Sequence, residues 1–158
     1  MTALFIFPTI LDLTQIFSFS MCAALALNTN IIRPGKWIGF WRKRGKDQLV
    51  WAGFARRESL EWWQRRGGEL VDIPADRFAE RSDRTRAFAW DEIAPGNVVR
   101  GVIDPNEGKP LLKIVTRAST PAEIHRFDHP RMPLIEPPLF SAESFQVTIS
   151  GPIQAELF

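Results

Sequence analysis

The chain lacks the residues on which most covalent frameworks and many recognisable active sites depend. It has one cysteine, Cys22, so no internal disulfide can form and the fold must rest on a buried core, as suits a reducing, cytoplasmic setting. Cys22 itself reads as a small buried hydrophobe. There is no phosphate-binding glycine loop, no nucleophile elbow and no cysteine pair, which removes the commonest sequence-readable nucleotide, hydrolase and zinc chemistries. No basic residue precedes Arg33, so the apolar stretch from Ala3 to Leu27 lacks the charged start of a signal peptide. Pro8, Asp12 and Gln15 interrupt that stretch at a cost in hydrocarbon, which argues against a membrane anchor. Two readings of residues 1–30 stay open. Either Ile10 to Leu27 is an apolar helix packed on the core, or the frame is over-extended and translation starts at Met21.

The 158 residues suffice for one domain of ordinary size, and a 45% hydrophobic content with 24% charge is that of a globular chain. The net charge of +2 conceals a strong segregation. Between Arg33 and Arg66 ten basic residues face three acidic ones, a local excess of seven positive charges. A directional field of this kind attracts a polyanion.

Trp37 to Arg42 and Gln48 to Phe54 are rich in aromatic and β-branched residues and flank Arg44-Gly45-Lys46-Asp47, which predicts a β-hairpin with a basic tip. Arg57 to Arg66 predicts a short helix stopped by Gly67-Gly68, burying Leu60 and Trp63 and leaving Trp62 open between that face and solvent. Glu69 to Ile73 reads as a strand, and Pro74 to Arg84 as a helical turn or charged loop. Val98 to Ile103 and Leu111 to Val115 form a second hairpin around Asp104 to Lys109. Thr120 caps a helix from Pro121 to about Phe127. From Pro130 onward five prolines fall in 29 residues, which predicts an extended tail, with Val147 to Ile149 as a candidate edge strand. The expected fold is α+β: a small antiparallel sheet or partial barrel of two hairpins over residues 31–129, one or two short helices, and a tail over 130–158.

The chain ends in Gln154-Ala155-Glu156-Leu157-Phe158. This pentapeptide resembles the motif by which bacterial polymerases, repair proteins and clamp-loading factors dock on the DNA polymerase sliding clamp. The resemblance implies that the Gln154 amide sits at a pocket rim while Leu157 and Phe158 fill an apolar pocket. Ala155 and Glu156 depart from the leucine and the serine or aspartate favoured there, which implies a weaker peptide. Two exposed apolar residues at the end of a proline-spaced tail would otherwise be a liability, and two anchors with one amide make a minimal hot spot. The alternative is that Leu157 and Phe158 pack back on their own domain.

The basic hairpin mixes cations with aromatic rings, as proteins that hold phosphates and stack on unpaired bases do. Trp41, Arg42, Lys43, Arg44, Lys46, Arg56 and Arg57 are the candidate nucleic-acid contacts, with DNA as the expected ligand and single strands as one form of it. The alternative is a tryptophan core beneath a solvated tip. His125 and His129, spaced i and i+4, are weak candidates for a metal pair with Glu123 or Asp128 nearby. Asp72, Asp76, Asp91 and Glu92 are carboxylates of the kind a nuclease uses for magnesium. The sequence therefore favours a non-catalytic replication or repair accessory, or a clamp-competing inhibitor, that needs no cofactor. A metal-dependent nucleic-acid-processing enzyme and a membrane-associated interaction protein remain as alternatives.

Overall fold

The computed structural model of the chain describes residues 22–27, 30–34, 37–42, 45–82, 84–105, 111–139 and 146–148. Its architecture is α+β, with two sheets and two short helices. The smaller sheet is antiparallel, in the order β2 (Asn30–Ile32), β1 (Ala24–Leu27), β6 (Arg77–Arg81), β7 (Phe88–Glu92). The larger is a curled half-barrel in which β3 (Trp37–Arg42) and β4 (Gly45–Arg56) form one hairpin and β8 (Val98–Asp104) and β9 (Leu111–Ala118) the other.

Both predicted hairpins are present, and they join through a parallel β4–β9 pair, Val50 opposite Leu111 through Arg56 opposite Thr116. Parallel strands need both faces covered, and Leu112, Ile114, Val115 and Thr116 of β9 are all buried. The β4–β9 register shifts between Trp51 and Phe54. Gly53 sits in this bulge at φ +96°, a left-handed conformation that costs glycine little. Trp51, fully buried, donates its indole N–H to the Gly53 carbonyl at 3.1 Å. The outer strands are β5 (Glu69–Ile73) on β8 and β12 (Gln146–Thr148) on β3.

Three segments differ from the sequence reading. Ala24 to Leu27, expected in a helix, is a buried strand bonded on both edges to β2 and β6. A short apolar run suits a central strand as well as a helix. Residues 10–21 of the expected helix lie outside the described residues, and Cys22 and Ala23 lead into the strand, with the Ala23 N–H bonded to the Ala79 carbonyl at 2.7 Å. Arg77 to Arg81, expected as a loop or helical turn, is β6, with Phe78, Ala79 and Glu80 buried. Tertiary burial here overrides a locally charged composition.

The third difference is at the start of the expected tail. Residues 131–136 form β10 (Arg131–Pro133) and β11 (Ile135–Glu136), which fill a fork where β8 and β9 diverge. β10 takes over pairing from β8 along Thr116 to Ala118, and β11 pairs with Val98 and Val99 of β8. Between them Leu134 donates to Val115 and accepts from the Arg100 N–H, at 2.8 and 2.9 Å. Met132, Pro133 and Leu134 are buried, so proline here marks a strand end rather than a linker.

The helices are α1 (Leu60–Arg65), entered through a 3-10 turn at Arg57–Ser59, and α2 (Pro121–Phe127). Thr120 and Glu123 form a reciprocal capping box at α2, and Arg117 grips Glu123 with two hydrogen bonds at 2.7 and 2.8 Å. These bonds, with the Thr120 N–H, hold the Glu123 carboxyl down to about 2. Because the folded state favours the ionised form, its contribution is complete above the ordinary value of 4.5 and is lost as pH falls toward 2. Glu123→Ala should therefore cost ~1–2 kcal/mol at neutral pH, and the gap to the unaltered protein should close between pH 4.5 and 2 in urea titrations. A gap independent of pH would contradict this account.

Candidate nucleic-acid interface

β4 runs from the hairpin tip to Arg56, and the chain then turns into α1. Arg56, Arg57 and Arg66 are exposed and have no ion-pair partner among the described residues, although Glu58 lies between them in the chain. Glu58 is engaged elsewhere: its carboxylate accepts two hydrogen bonds from Arg131 at 3.2 and 3.0 Å, which lower its proton affinity below the usual carboxylate range. Glu61 pairs with Arg65 one turn on. Thus both acids of the segment are matched while three arginines remain for solvent or an anion.

An aromatic pair sits among these charges. Trp63 and Leu60 are half-buried against Ala55, Val102, Val115 and Leu134. Trp62 points away, 49% exposed, with its ring edge-on to Trp63 at 4.8 Å and the Arg66 guanidinium 4.5 Å from its centroid. Lys113 lies over the Trp63 ring at 5.4 Å while donating to the Ala52 carbonyl at 2.9 Å. The helix closes at Gly67 (φ +88°), and Gly68 passes so close that a Cβ there would stand 2.7 Å from the Trp63 carbonyl oxygen. Leu60 and Trp63, the expected buried face of α1, both pack inward, and Trp62 does not.

The candidate contacts divide between the two ends of β4. Trp41 is opposite Lys46 and Arg42 opposite Gly45 at the hairpin end, whereas Arg56 and Arg57 lie roughly 35 Å further along the strand path. Only the backbone of Trp41, Arg42 and Lys46 is described, and Lys43 and Arg44 fall outside the described residues, as do Gln154, Leu157 and Phe158.

Of the acidic and histidine candidates, Asp72, Asp91 and His129 are drawn into structural roles, whereas Glu92 and His125 are exposed. Asp72 is buried against Arg100, and the pair holds the chain after β11: Arg100 donates to the Pro137 carbonyl at 3.1 Å, and Asp72 accepts the Leu139 N–H at 3.2 Å. Asp91 pairs with Arg126 at 3.0 Å. His125 is exposed and His129 buried, because α2 ends at Phe127 and Asp128 turns left-handed, which removes the shared helical face. His129 Nδ1 lies 2.8 Å from the Arg131 carbonyl oxygen, and its Nε2 has no hydrogen-bond partner among the described residues. Among those residues no group of three or more histidine, cysteine or acidic side chains is placed to hold a metal ion.

One polar centre carries no signal in the local sequence. Cys22, fully buried as expected, donates its backbone N–H at 2.9 Å to Oε2 of Glu80, which is also fully buried. Burial, reinforced by the Glu80 charge, pushes the Cys22 thiol well above the ordinary thiol range. The two residues are 58 positions apart, so only the β1–β6 pairing brings them together.

No helix among the described residues is long and apolar enough to cross a membrane. Comparison of the chain with protein-family models, with curated proteins and with solved structures finds no match.

Proposed function

We propose that the protein is a non-catalytic accessory of DNA replication or repair that contacts DNA through the cationic end of β4 and α1 and is recruited to the bacterial sliding clamp by Gln154, Leu157 and Phe158. The observation that carries the DNA contact is the set Arg56, Arg57 and Arg66, exposed and without an ion-pair partner among the described residues, with Arg66 4.5 Å from the centroid of the exposed Trp62. The clamp contact rests on the terminal pentapeptide. A competitor that occludes the clamp would use the same contacts. Fluorescence anisotropy with labelled DNA should give an affinity that falls steeply with salt. Arg56→Ala and Arg57→Ala should each lower the logarithmic salt slope by roughly 0.7–0.9. Calorimetry with the clamp should give micromolar binding, about −8 kcal/mol, that disappears when residues 154–158 are removed. Salt-independent or absent DNA binding would end the first half of the proposal, and clamp binding unaffected by the truncation the second.

A further inference from the structure

We infer that Trp62 is a stacking platform for an unpaired base, so that the nucleic acid held by this surface is single-stranded. The inference rests on the DNA-binding reading above and specifies its ligand. A single half-exposed indole is ordinary at a protein surface; what sets Trp62 apart is that it is braced and lies beside a guanidinium. Trp63, edge-on at 4.8 Å, is packed on the core cluster of Ala55, Val102, Val115 and Leu134. Arg66 sits 4.5 Å from the Trp62 centroid, and α1 closes against Gly68 with no room for a side chain. A braced, exposed ring costs little ordering on binding.

Charge complementarity identifies the occupant. Arg56, Arg57 and Arg66 make no close ion pair with any described acid: Glu58 is hydrogen-bonded to Arg131 and feels Arg56 only at longer range, and Glu61 pairs with Arg65. A polyanion with flat apolar faces satisfies both features, with phosphates at the guanidinium groups and a base on the indole. A duplex satisfies only the first, because its base faces are already stacked on one another. Stacking does not depend on the sugar, so the platform accepts DNA and RNA strands alike.

The test is titration of the full chain with fluorescein-labelled oligothymidylate, oligouridylate and a mixed-sequence duplex, for the unaltered protein, Trp62→Ala, Trp62→Phe and Arg66→Ala. The expected result is tighter binding of both single strands than of duplex. Trp62→Ala should lose roughly 5- to 100-fold in single-strand affinity, with duplex affinity unchanged and Trp62→Phe retaining most of the effect. Arg66→Ala should weaken binding in a manner that high salt erases. Matching thermal melts of the Trp62 variants separate loss of binding from misfolding. Equal binding of duplex and single strands, or a Trp62→Ala protein that binds oligothymidylate normally, overturns the inference while leaving DNA binding intact. Failure to bind any of the three probes overturns the DNA-binding reading itself.

Discussion

Arg100→Met should destabilise the protein by ~3–5 kcal/mol, whereas Asp72→Leu combined with Arg100→Met should restore much of that loss. The guanidinium is 2% exposed and the carboxylate 7%, so neither charge can turn to water when its partner is removed. Methionine also abandons the Pro137 carbonyl that Arg100 Nη2 holds at 3.1 Å, an unmet acceptor worth a further ~1 kcal/mol. In the double variant no charge is stranded, and apolar groups of similar bulk fill the site. Calorimetric melting should place the single variant roughly 10–20 °C below the unaltered protein, with the double variant between them. A single variant as stable as the parent chain would show that the pair is wetter than its exposure indicates.

Trp51→Ala should cost a similar ~3–5 kcal/mol, for a different reason. The ring is fully buried, edge-on to Phe54 at 6.0 Å, and bonded to Gly53 at the bulge that sets the β4–β9 register. Its removal leaves a cavity in the core cluster that packs against the parallel pair. Gly53→Ala isolates the backbone part of this device. Only Lys113 Nζ, at 3.9 Å, lies near the site of the added Cβ, so a loss of ~1–2 kcal/mol would report the left-handed conformation alone. Urea unfolding of the two variants should rank them in that order, with Trp51→Ala the larger. The reverse order would mean that the bulge, not the indole, secures the parallel pair.

The sequence made the two hairpins of the larger sheet and the cap of α2 readable because their signals are local: β-branched and aromatic runs around turn residues, and Thr120 three residues before Glu123. The same reading failed where the stabilising partner is distant. Arg77 to Arg81 sets two adjacent apolar residues among three charged ones and reads as loop, yet β1 and β7 on either side make it an inner strand. Residues 131–136 carry two charges and a proline and read as linker, yet they have a fork in the sheet to occupy. At the candidate interface, charge density pointed to Arg56 and Arg57, but the helical pattern left Trp62 open beside Trp63. The structure turns only one of the two indoles inward. Asp72 with Arg100, and Cys22 with Glu80, had no readable signal, since a carboxylate's partner 28 or 58 residues away leaves no trace in a window of sequence.

The fork between β8 and β9 also bears on the order in which the chain folds. The β8–β9 and β6–β7 hairpins can close early from neighbouring residues, but the parallel β4–β9 pair joins Val50 to Leu111, and β11 returns from Ile135 to Val99. Such closures carry a larger loop-entropy cost and come late. Until β10 and β11 arrive, the diverging halves of β8 and β9 expose unsatisfied edges toward each other, the arrangement most prone to pair with the wrong strand. Residues 131–136 close that fork, and a ribosome must release them before it can be closed.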